Sequence, residues 1–116
     1  MEELKNKLRE FAQERNWDQF HTPKNLVMAL NGEMGELTEI FQWLDPENSK
    51  LKNLSEKDVL RCKEEIADIF LYLTRLADKL EIDLLKEANT KIEVNSKKYP
   101  IHLSKNNAVK YNQRDE

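Results

Sequence analysis

Apolar residues recur at alternating spacings of three and four along two long stretches of the chain. In the first the series is Val27, Leu30, Met34, Leu37, Phe41 and Leu44; in the second it is Val59, Cys62, Ile66, Ile69, Leu73, Leu76 and Leu80. Such spacing belongs to helices that pack along a seam in a bundle. Leu4, Leu8, Phe11 and Ala12 predict an earlier helix from about Glu2 to Arg15, and Leu85, Ala88 and Ile92 a later one ending near Lys98. Punctuation between them agrees. Thr22-Pro23 reads as an N-cap with proline at the first helical position, and Asp45-Pro46 stops the helix that reaches Trp43 or Leu44. Ser55, with Asp58 three residues on, caps the third helix, and Asp83 caps the fourth. Polar Glu47 to Leu54 reads as a flexible loop. Ile101 to Glu116 lacks helical periodicity and reads as an extended tail, draped or disordered. With no period-two alternation, the expected fold is all-α: a four-helix bundle with a C-terminal tail, one domain of 116 residues.

Two acidic strings stand in these helices, Glu33-Met-Gly-Glu36 and Glu65-Ile-Ala-Asp68. Carboxylates three apart lie on one helix face. Both pairs stand one residue before seam positions, so an antiparallel hairpin would let them face one another beside the core. Four converging carboxylates take up protons or bind a cation. All-oxygen ligands suit Mg²⁺, Mn²⁺ or Ca²⁺ rather than zinc, and a di-iron bundle site would want Glu-x-x-His. The chain's two glycines, Gly32 and Gly35, both flank the first pair. Glycine inside a helix costs about 1 kcal/mol against alanine, so their placement predicts close approach by a ligand or another backbone.

Composition narrows the partners. Net charge is −3 and the sequence pI about 5.5, with no broad basic stripe, so a nucleic-acid polymer is not expected. The apolar runs are far short of a membrane span and no signal pattern opens the chain, which predicts a cytoplasmic protein. The lone Cys62 on a seam position fits a reducing compartment.

Further candidates surround the acidic strings. Trp17 and His21 occupy the aromatic connector between the first two helices. Positions 26, 29, 33, 36, 40 and 43 put Trp43 on the side of Glu33 and Glu36; positions 61, 65, 68, 72 and 75 add Arg61, Tyr72 and Arg75. Aromatic side chains beside a metal would stack on a nucleobase. Asn95 falls on the inward spacing of the fourth helix. Lys91, Lys97, Lys98, Lys105 and Lys110 are candidates for phosphate contacts.

Taken together, Glu-x-x-Glu and Glu-x-x-Asp on successive helices resemble the motif of the MazG-like all-α nucleoside triphosphate pyrophosphohydrolases. Phe11-Ala-Gln-Glu-Arg-Asn-Trp17, Gln19-Phe-His21, Pro23-Lys-Asn-Leu26, Gly32-Glu-Met-Gly-Glu-Leu37, Phe41-Gln-Trp43 and Tyr99-Pro-Ile-His-Leu103 resemble its dCTP pyrophosphatase branch. The likeness runs from about Leu4 to Tyr111. It implies Mg²⁺-dependent hydrolysis (Mn²⁺ as a substitute) of a dNTP, dCTP or a modified dCTP, to monophosphate and pyrophosphate, as housecleaning of the nucleotide pool. By position, Glu33, Glu36, Glu65 and Asp68 would hold the metal. Trp17, His21, Trp43 and Tyr72 would line the base and sugar pocket, with Asn95, Lys98, Lys110 and Tyr111 near sugar or phosphates. It also implies a homo-oligomer, dimer or tetramer. One position departs: where the animal branch has a histidine nine residues before the matching tryptophan, this chain has Leu8. Glu36 is the favoured group to orient or deprotonate the attacking water, and no nucleophile pattern for a covalent intermediate is evident. Two alternatives stand beside this reading: the same chemistry on dUTP or another nucleotide, and a non-catalytic helical module that pairs with a partner through its seam.

Overall fold

The structure, a computed structural model, describes residues 1–113. All regular structure among them is helical: α1 (Glu2–Glu14), α2 (Pro23–Phe41), α3 (Glu56–Lys79), α4 (Leu84–Lys98) and the single turn α5 (Ile101–Ser104), with short 3-10 turns at Asp18–Phe20 and Leu51–Asn53. The protein is therefore all-α, as the periodicity predicts. Two compact units make up the described chain, Met1–Ile82 and a second from Asp83 onward. No helix among the described residues is long and apolar enough to cross a membrane.

The predicted caps form. The Thr22 hydroxyl accepts from the Asn25 N–H, Ser55 from Asp58, and the Asp83 carboxylate from Lys86. Each satisfies one of the amide donors a helix start leaves open. Both α1 and α3 end in a Schellman turn. After α1 the Asn16 N–H bonds Gln13 O and the Trp17 N–H bonds Ala12 O; after α3, Glu81 bonds Asp78 O and Ile82 bonds Ala77 O. The turns require a left-handed residue, supplied by Asn16 (φ 52°) and Glu81 (φ 56°). The stretch read as a flexible loop, Glu47 to Leu54, is instead laced by local bonds. The Asp45 carboxylate accepts from the Asn48 N–H, Ser49 donates to Pro46 O, and the Asn53 amide donates to Glu47 O.

In the first unit α2 and α1 both pack against α3. The His21 ring, just ahead of α2, meets Arg75 near the end of α3, while the middles of α2 and α3 meet at Glu33 and Glu65. The two helices therefore run antiparallel. The predicted seam is kept in part: Leu30, Leu37, Phe41 and Leu44, and Val59, Cys62, Ile69, Leu73 and Leu76, are shielded as the periodicity requires. On α2 the shielded residues are Leu26, Ala29, Leu30, Glu33, Leu37, Ile40 and Phe41, with Leu44 just beyond its end; on α3 Thr74, Arg75 and Ala77 are the most buried, and Glu65 and Tyr72 join the shielded side. Val27, Met34 and Ile66, which the apolar pattern puts inside, are exposed. At the middle of each helix the shielded side falls one residue earlier than the apolar pattern predicts, so that Glu33 and Glu65 are half-buried where Met34 and Ile66 are exposed. An apolar count cannot foresee this, because it assigns a seam to methionine or isoleucine over glutamate.

The second unit holds α4 and α5. Leu85, Ile92 and Asn95 of α4, predicted inward, are exposed. Ile101 to Ser104, predicted as part of an extended tail, form the turn α5. Beyond it the Tyr111 ring meets Tyr99 edge-on, with centroids 6.1 Å apart, and lies 4.9 Å from the Lys98 ammonium.

Candidate metal centre and its cavity

One carboxylate oxygen each of Glu33, Glu36 and Glu65 lies within 4.8 Å of the others. Glu33 and Glu65 are half-buried and Glu36 is exposed. The shift at mid-helix produces this trio: it carries two of the acids into the α2–α3 interface and leaves Glu36, one turn along α2, exposed at its rim. The Oε2 atoms of Glu33 and Glu65 are buried without any hydrogen-bond donor. A buried polar atom of this kind is normally paired. The Glu65 carboxylate beside Glu36, in hydrogen-bonding reach and like-charged, holds the Glu36 carboxyl above its usual range. The Glu65 carboxyl is raised in turn by Glu33 and by burial. Crowded oxygens, two of them orphaned, match the donor set of a hard divalent cation. Asp68 is not in the trio; it lines an adjoining cavity together with Glu33.

That cavity, about 370 Å³, opens between α1, the connector and α3. Leu8, Phe11, Trp17, Leu71 and Tyr72 form its apolar and aromatic walls, and His21, Glu33, Asp68 and Arg75 its polar ones. The Schellman turn after α1 swings Trp17 onto this wall, where its ring meets Phe11 edge-on at 5.8 Å. Seven of the residues singled out in the sequence thus share one space: Leu8, Trp17, His21, Glu33, Asp68, Tyr72 and Arg75. Trp43 does not line it. α2 ends before Trp43, which is 88% exposed. Asn95, Lys98, Lys110 and Tyr111 belong to the second unit, where Lys98 and Tyr111 contact each other.

Behind the cavity runs a chain of ion pairs. Arg9 grips Asp78 with two bonds of 2.7 and 2.6 Å. Arg75, 5% exposed, donates to Asp18 at 2.6 Å and to His21 Nδ1 at 3.2 Å, and stands 3.5 Å from Asp78. Lys79 also donates to Asp18, at 2.6 Å. Burial, then the nearby charge of Arg75, keeps the His21 imidazole below its ordinary pKa; the Arg9 fork does the same to the Asp78 carboxyl. The network pins the connector to α3 and thereby sets where Trp17 and His21 stand. Arg75 was visible in the sequence only as a member of the helix-three stripe. Asp18 carried no signal there, because its partners are 57 and 61 residues away.

Of the two reasons expected for the glycines, close approach by another backbone is not the one met. A methyl group built on Gly32 or Gly35 would meet nothing within 4 Å. No backbone among the described residues presses on them.

The profile of the MazG-like family matches residues 28–113. The chain is 41% identical over 111 residues to dCTP pyrophosphatase 1 of Bos taurus, an alignment covering 96% of this chain and 66% of the relative. To the Homo sapiens protein of the same name it is 38% identical, covering 96% of this chain and 65% of that one. It thus spans just under two thirds of these relatives. A pyrophosphatase structure from Archaeoglobus fulgidus superposes with a TM-score of 0.79 at 43% identity, covering 86% of this chain and 92% of the other.

Proposed function

The chain belongs to the MazG-like family, and on that premise we propose that it is a nucleotide pyrophosphohydrolase that cleaves a deoxynucleoside triphosphate, dCTP or a modified dCTP, between its α and β phosphates. The observation that carries this reading is the carboxylate trio with its two orphaned buried oxygens, opening beside an aromatic-walled cavity. Glu33, Glu36 and Glu65 would hold Mg²⁺, with Asp68 completing the set from the cavity wall. The bound ion would supply positive charge to the triphosphate oxygens as charge develops on them. Trp17 and Tyr72 are the cavity's candidates to bracket a base, and stacking on such rings contributes about 1–3 kcal/mol per base. Glu36 is the exposed member of the trio, so it is the residue assigned to orient the attacking water.

The names of the relatives support cytosine as the base. Leu8, where the animal branch carries histidine, lines the same cavity, so the preferred base is where this chain would differ from that branch. Asn95, Lys98, Lys110 and Tyr111 are assigned to sugar or phosphates by resemblance alone. The family match runs through both units, which supports one functional domain. Exposed Met28, Ile66, Phe70, Leu85 and Ile92 support a homo-oligomer.

Pyrophosphate release measured over a panel of natural and modified dNTPs with Mg²⁺ tests the reading. Glu36→Gln and Asp68→Asn, with the helical signal intact, should each lose at least roughly a hundredfold in turnover, the lower end of what a positioned acid or base contributes. A folded wild-type protein that releases no pyrophosphate from any of them would overturn it.

A further inference from the structure

Resting on the nucleotide-binding reading of the cavity, we propose that Arg75 is the positioning residue that fixes His21 as a neutral hydrogen-bond donor to an acceptor atom on the base or sugar. The geometry carries this. Arginine has donors only, so the Arg75 Nε–H that lies 3.2 Å from His21 Nδ1 must donate to it. That leaves Nδ1 as an acceptor with no proton of its own. A neutral imidazole has one proton, and here it sits on Nε2.

The arginine is itself immobilised. It is buried, bonded to Asp18 at 2.6 Å, and 3.5 Å from Asp78, which Arg9 grips from α1. Asp18 is shared with Lys79. The charged groups around the ring are therefore Arg75 and Lys79 from α3, Asp18 from its own connector, and Glu33 and Asp68 on the walls of the cavity. Asp18 and Asp78 face the arginine and occupy its other nitrogens, so the guanidinium remains paired while its Nε–H is spent on the ring. A lysine at 75 would keep the charge but not the flat fork that serves Asp18 and His21 at once. An imidazole locked in this way presents a donor and rejects a substrate that offers a donor at the same place.

The experiment begins without nucleotide or metal. The chain has two histidines, His21 and His102, so long-range proton–nitrogen correlation spectra of ¹⁵N-labelled protein, assigned with His102→Gln, read each ring separately. His21 should hold a single neutral form, protonated at Nε2 and bare at Nδ1, across the pH range in which an ordinary imidazole gains its second proton. In Arg75→Lys the two tautomers should mix and the His21 titration move toward that of an ordinary imidazole. Kinetics with dCTP and Mg²⁺ should then show KM raised roughly fivefold to tenfold with kcat within about twofold, the scale of one hydrogen bond. His21→Gln, whose amide can donate from the Nε2 position, should retain most of the affinity that His21→Leu loses. The acceptor is located by comparing dCTP with 2′,3′-dideoxy-CTP: the cost of His21→Leu disappears with the dideoxy substrate for a contact to the 3′-hydroxyl and persists for a contact to the base or the sugar ring oxygen. A wild-type ring protonated at Nδ1 overturns the proposal, as does an Arg75→Lys protein whose His21 spectrum and KM are unchanged. Should Arg75→Lys fail to fold, the wild-type spectrum and the two His21 variants still decide it. Wild-type protein that turns over no nucleotide refutes the enzymatic reading separately, since the spectra need no substrate.

Discussion

Replacing Gly35 with alanine should make this protein more stable. Gly35 and Gly32 lie in the interior of α2, more than a turn from either end, and neither has a positive φ. A Cβ at either position meets open space, so no steric term opposes the substitution. What remains is the helix propensity difference, about 0.8–1.0 kcal/mol in favour of alanine, which comes from the backbone entropy that glycine loses on folding. The double variant should gain about 2 kcal/mol, because two methyl groups three residues apart share a face without crowding. For a domain of this size each kcal/mol corresponds to a midpoint shift of roughly 3–6 °C. Circular-dichroism melts at fixed protein concentration, with a chelator and then with Mg²⁺, measure it. Pyrophosphate release on the same samples supplies the functional half. If the glycines leave room for a ligand beside Glu33 and Glu36, the variants will be stiffer and slower together. A loss of stability of about 1 kcal/mol or more in either single variant would refute the reasoning, for it would mean that something in solution already fills the space beside that face.

Three further outcomes follow from the same geometry. Leu26→Ala, at a side chain only 2% exposed in the α2 interface, should cost about 2–4 kcal/mol in urea denaturation, and a cost under about 1 kcal/mol would move the seam back to Val27. Glu65→Gln removes one of the crowded charges, so the metal-free protein should melt no lower than wild type, while the rise in melting temperature with Mg²⁺ should vanish; a wild-type melt indifferent to millimolar Mg²⁺ would count against the cation site. The pH dependence has two limbs of opposite sign. Glu36 and Glu65 hold protons in the native state that the unfolded chain releases, so metal-free protein should lose stability as pH rises from the ordinary carboxylate range through their raised values. Asp78 is depressed; its contribution is present above the ordinary aspartate value and is lost as pH falls through the depressed one. Denaturation curves across pH test both, since Glu65→Gln should flatten the first limb and Asp78→Asn the second.

The sequence by itself determined the helices. Thr22, Ser55 and Asp83 cap where they were expected to, because a side-chain oxygen reaches only the amide two or three residues ahead and needs no tertiary partner. It also determined that two carboxylate pairs would sit on the facing helices, since i, i+3 spacing fixes a face whatever the neighbours are. What it left open was rotation. An offset of one residue turns a helix by about 100°, and the apolar pattern tolerates a local shift, because Leu26 serves as well as Val27 and Ile40 is shielded beside Phe41. Only packing between α2 and α3 decided that Glu33 and Glu65 go inside, and so only the tertiary structure created the orphaned oxygens. The same holds for the Arg75 network, whose bonds join residues more than fifty positions apart. Contacts at that range leave no period in the chain, and they set where Trp17 and His21 meet the cavity.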